Sequence, residues 1–200
     1  MRTDTKTALL VSAERAARAR GFDGFSYADL AADVGIRKAS IHHHFPSKAA
    51  LAVALMARYH AELETACAGI DATHATGGAR LTALIDLYRR ALDEGRRLCL
   101  CVSFSTSRDS LPTEVLEQLQ RFRQMMLGWI ADVFALGQQD GTIAGVRDPE
   151  LEAAATLPLL EGAHLAARAQ EDAALFDAAV RMLAQRVQGA TGGAGASGQA

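Results

Sequence analysis

Two clusters in this sequence have residue types and spacing suited to chemistry. The segment from Ser26 to Leu51, SYADLAADVGIRKASIHHHFPSKAAL, carries Arg37, Lys38, Ser40, His42 and His43 on one short apolar-periodic stretch. These are hydrogen-bond donors of the kind that reach base edges and phosphate oxygens. Its three consecutive histidines also invite a metal reading. Successive helical residues fan out by about 100°, however, so His42, His43 and His44 cannot converge on one ion. The second cluster is Cys99-x-Cys101, which follows Arg96 and Arg97. Neighbouring cations can lower a thiol's pKa and make it reactive toward oxidants or electrophiles, whereas two small buried hydrophobes are the plain alternative. On a helix these two side chains point roughly 200° apart, which argues against a chelate or a mutual disulfide. Ser, His and Asp residues are present but form no catalytic constellation, with no nucleophile elbow, Gly-rich phosphate loop or spaced metal set, so no enzyme, cofactor or metal is expected.

The elements that must position these residues are helices. A first helix from about Thr3 to Arg20 turns Leu9, Ala13, Ala16 and Ala17 toward Phe22 and Phe25, and its Arg2 and Lys6 can touch a duplex backbone. Ser26 can cap a second helix whose inward residues are Leu30, Ala31 and Val34, and Gly35 supplies the permissive backbone for a sharp turn. A third helix begins near Arg37, with Ile41 and Phe45 four apart on its inward face. This is the sequence form of a helix-turn-helix, in which the later helix lies in the major groove. Ser47 can cap a fourth helix that runs to about Cys67. Lys48 in its first turn opposes the helix dipole and becomes favourable beside a phosphate. After a break around residues 69 to 78, helical periodicity resumes and continues through a long helix near Thr113 to Gly137. Two last helices follow, near Asp148 to Gln170 and Glu171 to Val187, the first interrupted by Pro158.

SYADLAADVGIRKASIHHHFPSKAALA resembles the signature of the TetR family of bacterial transcriptional regulators. The matching residues are Ser26, Leu30, Ala31, Gly35, Ile36, Ser40, Ile41, His44, Phe45, Lys48 and Leu51. Val34, Arg37 and His42 depart from the commonest form. Arg37 exchanges a capping hydroxyl for a cation, and His42 replaces a tyrosine with a group that binds phosphate more strongly when protonated. Operator affinity is therefore expected to rise as pH falls through the histidine range. The resemblance implies a homodimeric repressor on a near-palindromic double-stranded operator, released by a small effector. Ser26, Tyr27, Arg37, Lys38, Ser40, His42, His43 and Lys48 are then the DNA-contacting set. The last two helices would pair with a second subunit, through Leu151, Ala155, Leu159, Gly162, Phe176, Val180, Leu183 and Val187. An effector pocket in the C-terminal domain would draw on Cys101, Phe104, Phe122, Met126 and Trp129, with His164 as a polar handle. The alternative is a thiol-based redox or electrophile-sensing repressor that uses Cys99 or Cys101.

Composition agrees with an all-α chain. Half of the 200 residues are apolar and only four are proline, enough for a small and a larger helical core. Residues 1–60 hold nine Lys and Arg against five Asp and Glu, a balance of +4, and the remainder balances at −6, summing to the net −2. A cationic N-terminal part on an acidic body fits phosphate binding at one end. Three cysteines and no apolar run long enough for a bilayer point to the cytoplasm. The expected division is a helix-turn-helix domain at 1–48, an effector-binding and dimerisation domain at 49–188, and a disordered tail at 189–200, whose sequence is GATGGAGASGQA from Gly189.

Overall fold

The computed structural model describes residues 4–188; the tail from Gly189 and Arg2 lie outside them. Among the described residues there are nine α-helices and no strand, only an isolated bridge between Ile143 and Val187. The helices are α1 (Thr5–Arg20), α2 (Tyr27–Val34), α3 (Lys38–His44), α4 (Lys48–Thr73), α5 (Gly77–Ala91), α6 (Leu100–Ser105), α7 (Thr113–Gln139), α8 (Pro149–Gln170) and α9 (Ala174–Ala184).

Helices α1 to α3 close around one apolar centre. Leu9, Ala13, Ala16 and Ala17 form a buried stripe on α1, facing Phe22, Phe25, Leu30, Ile41 and Phe45. Arg15 pairs with Asp33, and Ser12 also donates to Asp33, so α2 is tied to α1 by charge as well as by packing. The long helix α4 passes from this head into the body. It continues through Gly69 to Thr73, six residues beyond the expected end, because the local helix cost of one glycine, about 1 kcal/mol, is small beside the packing of a 26-residue helix.

The body is built on α7, which packs against α4, α5 and α8, while α9 lies on α8 and α5. Its two ends show why small residues sit where they do. A Cβ on Gly77 would come within 2.2 Å of the backbone of Gly137, so the start of α5 and the end of α7 touch main chain to main chain. Asp140 then accepts from the amide of Gly77, and Thr142 from that of Gly78, capping α5 from across the fold. Helix α8 starts with Asp148 as its cap and Pro149 in its first turn, and runs through Pro158 as one element. Pro158 is exposed, so its ring and its missing donor face water.

Head and body meet where the last turn of α1 touches the segment entering α6. Arg18 donates from Nε to the carbonyl of Leu98 at 2.9 Å and from Nη2 to that of Ala91 at 2.6 Å. The amide of Leu98 returns a bond to the carbonyl of Arg18, and Ser103 Oγ donates to the carbonyl of Ala17. Five consecutive residues of α6, Leu100 to Phe104, are buried.

Candidate functional site

The turn between α2 and α3 is built as its sequence implies. Ser26 and Asp29 form a reciprocal capping box, with the amide of Ser26 donating to Asp29 at 2.6 Å; the hydrogen bonds from Ser26 hold the Asp29 carboxyl below its usual range. Gly35 takes the left-handed conformation at φ 73°, and the amides of Gly35 and Ile36 both bond to the carbonyl of Ala31. Helix α3 follows with no side-chain cap at Arg37. Ile41 is its one buried residue, and Arg37, Lys38, Ser40, His42 and His43 are exposed. A seven-residue helix held by one apolar residue on one side thus presents five polar or cationic residues on the other. The neighbouring rings of His43 and His44 lie edge to face at 5.5 Å, while His42 turns to Tyr27 instead.

Two of the expected DNA-contacting residues face inward. Tyr27 is buried and its hydroxyl donates to the carbonyl of Phe45 at 2.9 Å, locking the exit of α3; burial pushes its phenol pKa up to about 12. Lys48 donates to the carbonyl of Phe25 at 2.6 Å and lies over the rings of Phe22 and Phe25, at 4.5 and 4.4 Å from their centroids. Burial lowers the Lys48 pKa, with Asp23 and Asp29 acting in the other direction. This local carbonyl and cation-π environment accounts for a cation in the first turn of α4 without any phosphate. His42 is exposed, with Nδ1 3.3 Å from the carbonyl of Pro46, so Nε2 is the nitrogen left to face outward.

A cavity of about 140 Å³ lies between α1, α4, α5 and α8. Arg18 and Glu14 come from the head; Tyr59, Tyr88, Cys99 and His164 come from the body. His164 is fully buried, accepts the amide of Cys99 at Nδ1 (3.2 Å) and bonds through Nε2 to the carbonyl of Tyr88 (3.0 Å). That pair of bonds requires the neutral Nε2–H tautomer, and burial lowers its pKa to about 4. Both nitrogens are therefore committed to the backbone.

Among the residues expected around an effector, His164 lines this cavity. Cys101, Phe104, Phe122 and Met126 are buried in the surrounding core, with Phe104 edge-on to Phe22 and Phe122 against Tyr59. Trp129 donates from Nε1 to Asp71 at 2.9 Å. Arg18 and Tyr59 were not singled out as pocket residues, because their shared position arises from helices far apart in the sequence. Glu161 was also missed. A detectable signal was its place between Leu157 and His164 on the buried face of α8, where an unpaired carboxylate is costly. Arg123 supplies the partner, with Nη1 2.7 and 2.8 Å from the two carboxylate oxygens.

The cysteine geometry corrects one expectation. Cys99 is not on the helix but is its N-cap, with φ −64° and ψ 151°. The two sulfurs consequently lie 3.0 Å apart rather than on opposite faces. Arg96 and Arg97 both pair with Asp93. The hydrogen bond with Cys99, burial and the Glu161 carboxylate push the Cys101 thiol well above its ordinary value.

The described helices contain no stretch long and apolar enough to cross a membrane. No curated protein matches the chain. Family models match at residues 9–55, as "Bacterial regulatory proteins, tetR family", and at 77–183, as "Tetracyclin repressor-like, C-terminal domain". Among solved structures, the chain is similar to a TetR family transcriptional regulator from Agrobacterium tumefaciens, with 29% identity over 92% of this chain and 97% of that one and a TM-score of 0.86. A TetR transcriptional regulator from Legionella pneumophila shares 24% identity at a TM-score of 0.83, covering 94% of this chain and 100% of that one. A regulatory protein TetR from Rhodobacter sphaeroides shares 18% identity at a TM-score of 0.85, covering 93% and 100%. With both its head and its body matched by family models, the chain belongs to the TetR family of transcriptional regulators.

Proposed function

We propose that the protein is a homodimeric repressor that binds a near-palindromic operator through α3 and releases it when a small effector occupies the cavity beneath α1. The observation that carries this reading is the outward face of α3, where Arg37, Lys38, Ser40 and His43 are exposed around a helix anchored by Ile41 alone. Arg37 and Lys38 stand at the N-terminal end of the helix, the end that reaches base edges in a helix-turn-helix. Ser26 and His42 flank this face. Tyr27 and Lys48 support it from behind, shaping the exit of α3 and the entry of α4 rather than gripping phosphate.

A dimer is supported by an apolar stripe on the body. Leu151, Leu159 and Leu165 on α8 are 68, 36 and 42% exposed, and Met182 on α9 is 75% exposed. Ala155 and Gly162 lie exposed between the leucines and permit close helix approach. Phe176, Val180 and Leu183 turn into their own subunit, so α9 contributes its Met182 side. Two α3 helices related by a two-fold axis would enter successive major grooves about 34 to 36 Å apart.

The effector class follows from the cavity. Its volume, about 140 Å³, is close to that of an engineered cavity of about 150 Å³ that takes benzene, so the occupant is a small, compact molecule. Because Glu14 and Arg18 belong to α1, an occupant that favours one placement of α1 over another shifts the DNA-binding equilibrium by that difference in affinity.

Genomic fragments retained by the purified full-length protein, sequenced and then assayed for affinity against salt, test the reading. A shared palindrome bound by a dimer in sedimentation is the expected result. Monomeric protein that retains only unrelated fragments overturns it.

A further inference from the structure

The DNA-binding reading makes no use of Cys99 and Cys101. Their sulfurs are 3.0 Å apart, and a disulfide requires about 2.05 Å, so roughly 1 Å of side-chain movement separates two thiols from a bond. Cys99 lines the cavity, whose rim includes the exposed Glu62. Cys101 lies behind it, with its sulfur 3.5 Å from Glu161 Oε1. Both cysteines are buried, and of the two it is Cys99 that lines the cavity.

We propose that Cys99 and Cys101 are a modification site, oxidised by a hydroperoxide admitted to the cavity and closed as an intramolecular disulfide. The Cys99 sulfur attacks the distal peroxide oxygen; the O–O bond breaks, the thiol proton goes to the departing oxygen, and an alcohol leaves. Cys99 is then a sulfenic acid. The Cys101 sulfur attacks the Cys99 sulfur, the S–O bond breaks, and the Cys101 proton passes by way of Glu161 to the leaving hydroxide as water. Two thiols and one hydroperoxide thus become one disulfide, one alcohol and one water. The order is set by access: Cys99 lines the cavity, whereas Cys101 is fully buried behind it, against Glu161. Cys67 stands apart on α4, where burial pushes its thiol up to about 12.

The disulfide alters the joint between head and body. In the reduced protein Cys99 Sγ accepts the amide of Val102 as the cap of α6, and the Cys99 amide donates to His164. Leu98 and Ser103, on either side of the pair, bond to the last turn of α1. Turning the Cys99 sulfur toward Cys101 removes the cap and disturbs both contacts. The effect on operator affinity rests on the DNA-binding reading; the chemistry and the loosening of α6 do not.

Cleavage after Arg97 and Arg108 releases Leu98 to Arg108 as one peptide holding Cys99 and Cys101 but not Cys67. After the native full-length protein is treated with hydrogen peroxide, this peptide is expected to lose two hydrogens, reversibly with dithiothreitol, and hydrogen exchange at Val102 and Ser103 to accelerate. Cys101→Ser should stop at a sulfenic acid that dimedone traps on Cys99, and Cys99→Ser should leave the peptide unoxidised. Peptide that keeps both thiols free, or a wild-type protein that carries the same dimedone adduct as Cys101→Ser, overturns the proposal. Disulfide formation without faster exchange at α6 confirms the site and overturns its coupling to α1.

Discussion

His42 and His43 on α3 and His164 on α8 are the same residue type in opposite physical states. The first two sit on an exposed face held by one buried isoleucine, with His43 and the nearby cations Arg37 and Lys38 pointing into solvent. His164 is fully buried, neutral and bonded at both nitrogens, edge-on to Tyr88 and Phe176 at 5.4 and 5.5 Å. The polar groups on the outer face of α3 point into solvent, whereas both nitrogens of His164 are spent on backbone groups around them. The same contrast separates Lys38 from Lys48, whose ammonium is engaged by a carbonyl and two rings. Availability, rather than residue type, distinguishes a contact residue from a structural one.

Breaking the head at its single anchor should have the largest effect. Ile41→Ala removes the sole buried side chain of α3 and is expected to lower stability by about 2 to 5 kcal/mol, read by urea unfolding, with loss of specific DNA binding. Next comes acid, which tests the buried histidine. An unfolded chain takes up this proton near pH 6.5, but the folded protein only at about 4. Between these values the unfolded state binds more protons, so stability present at pH 7 falls as pH drops from about 6.5 and levels off below about 4, by roughly 3 kcal/mol in total. The carboxyls of Asp29 and Asp33 are held low by their hydrogen bonds; each contributes stability that is present above the ordinary carboxylate pKa and is lost below it. Measurements from pH 6.5 to 5 lie above the range of these carboxyls, and the part of the slope that His164→Gln removes belongs to the buried histidine; a wild-type curve already flat there would show that the histidine is not held neutral. Smaller again is Lys38→Ala, expected to weaken operator binding roughly tenfold with the melting temperature unchanged. A lower melting temperature with the same affinity would move Lys38 from the contact face to the scaffold. Ser26→Ala should cost about 1 kcal/mol through the lost cap and leave affinity within about twofold; a larger loss of affinity would give its hydroxyl a phosphate.

The helix-turn-helix was legible because every signal in it is local. The cap at Ser26, the left-handed turn at Gly35, the four-residue spacing of Ile41 and Phe45 and the cap at Ser47 act within a few residues of one another. Helix periodicity elsewhere placed α5, α7 and α8 for the same reason, and erred at the end of α4, where packing against α7 outweighs a glycine. The cavity was not legible. Arg18, Tyr59, Tyr88 and His164 lie on four helices, and periodicity says which face of each helix is apolar without saying which faces meet.

By itself, then, the sequence determined an all-helical chain with a cationic head and an outward row of donors on α3, because backbone propensity, capping and charge are properties of short segments. Tertiary structure decided which donors on the neighbouring helices α2 and α4 turn inward. Tyr27 and Lys48 were drawn inward only because Phe25 and Phe45 present carbonyls to them across the head. It also decided that Cys99 leaves the helix and brings its sulfur to Cys101, since α6 starts where Leu98 is pinned to α1 and the amide of Cys99 to His164. Contacts between residues 65 to 80 positions apart are fixed by the joint packing of several helices, and no spacing within one segment encodes them.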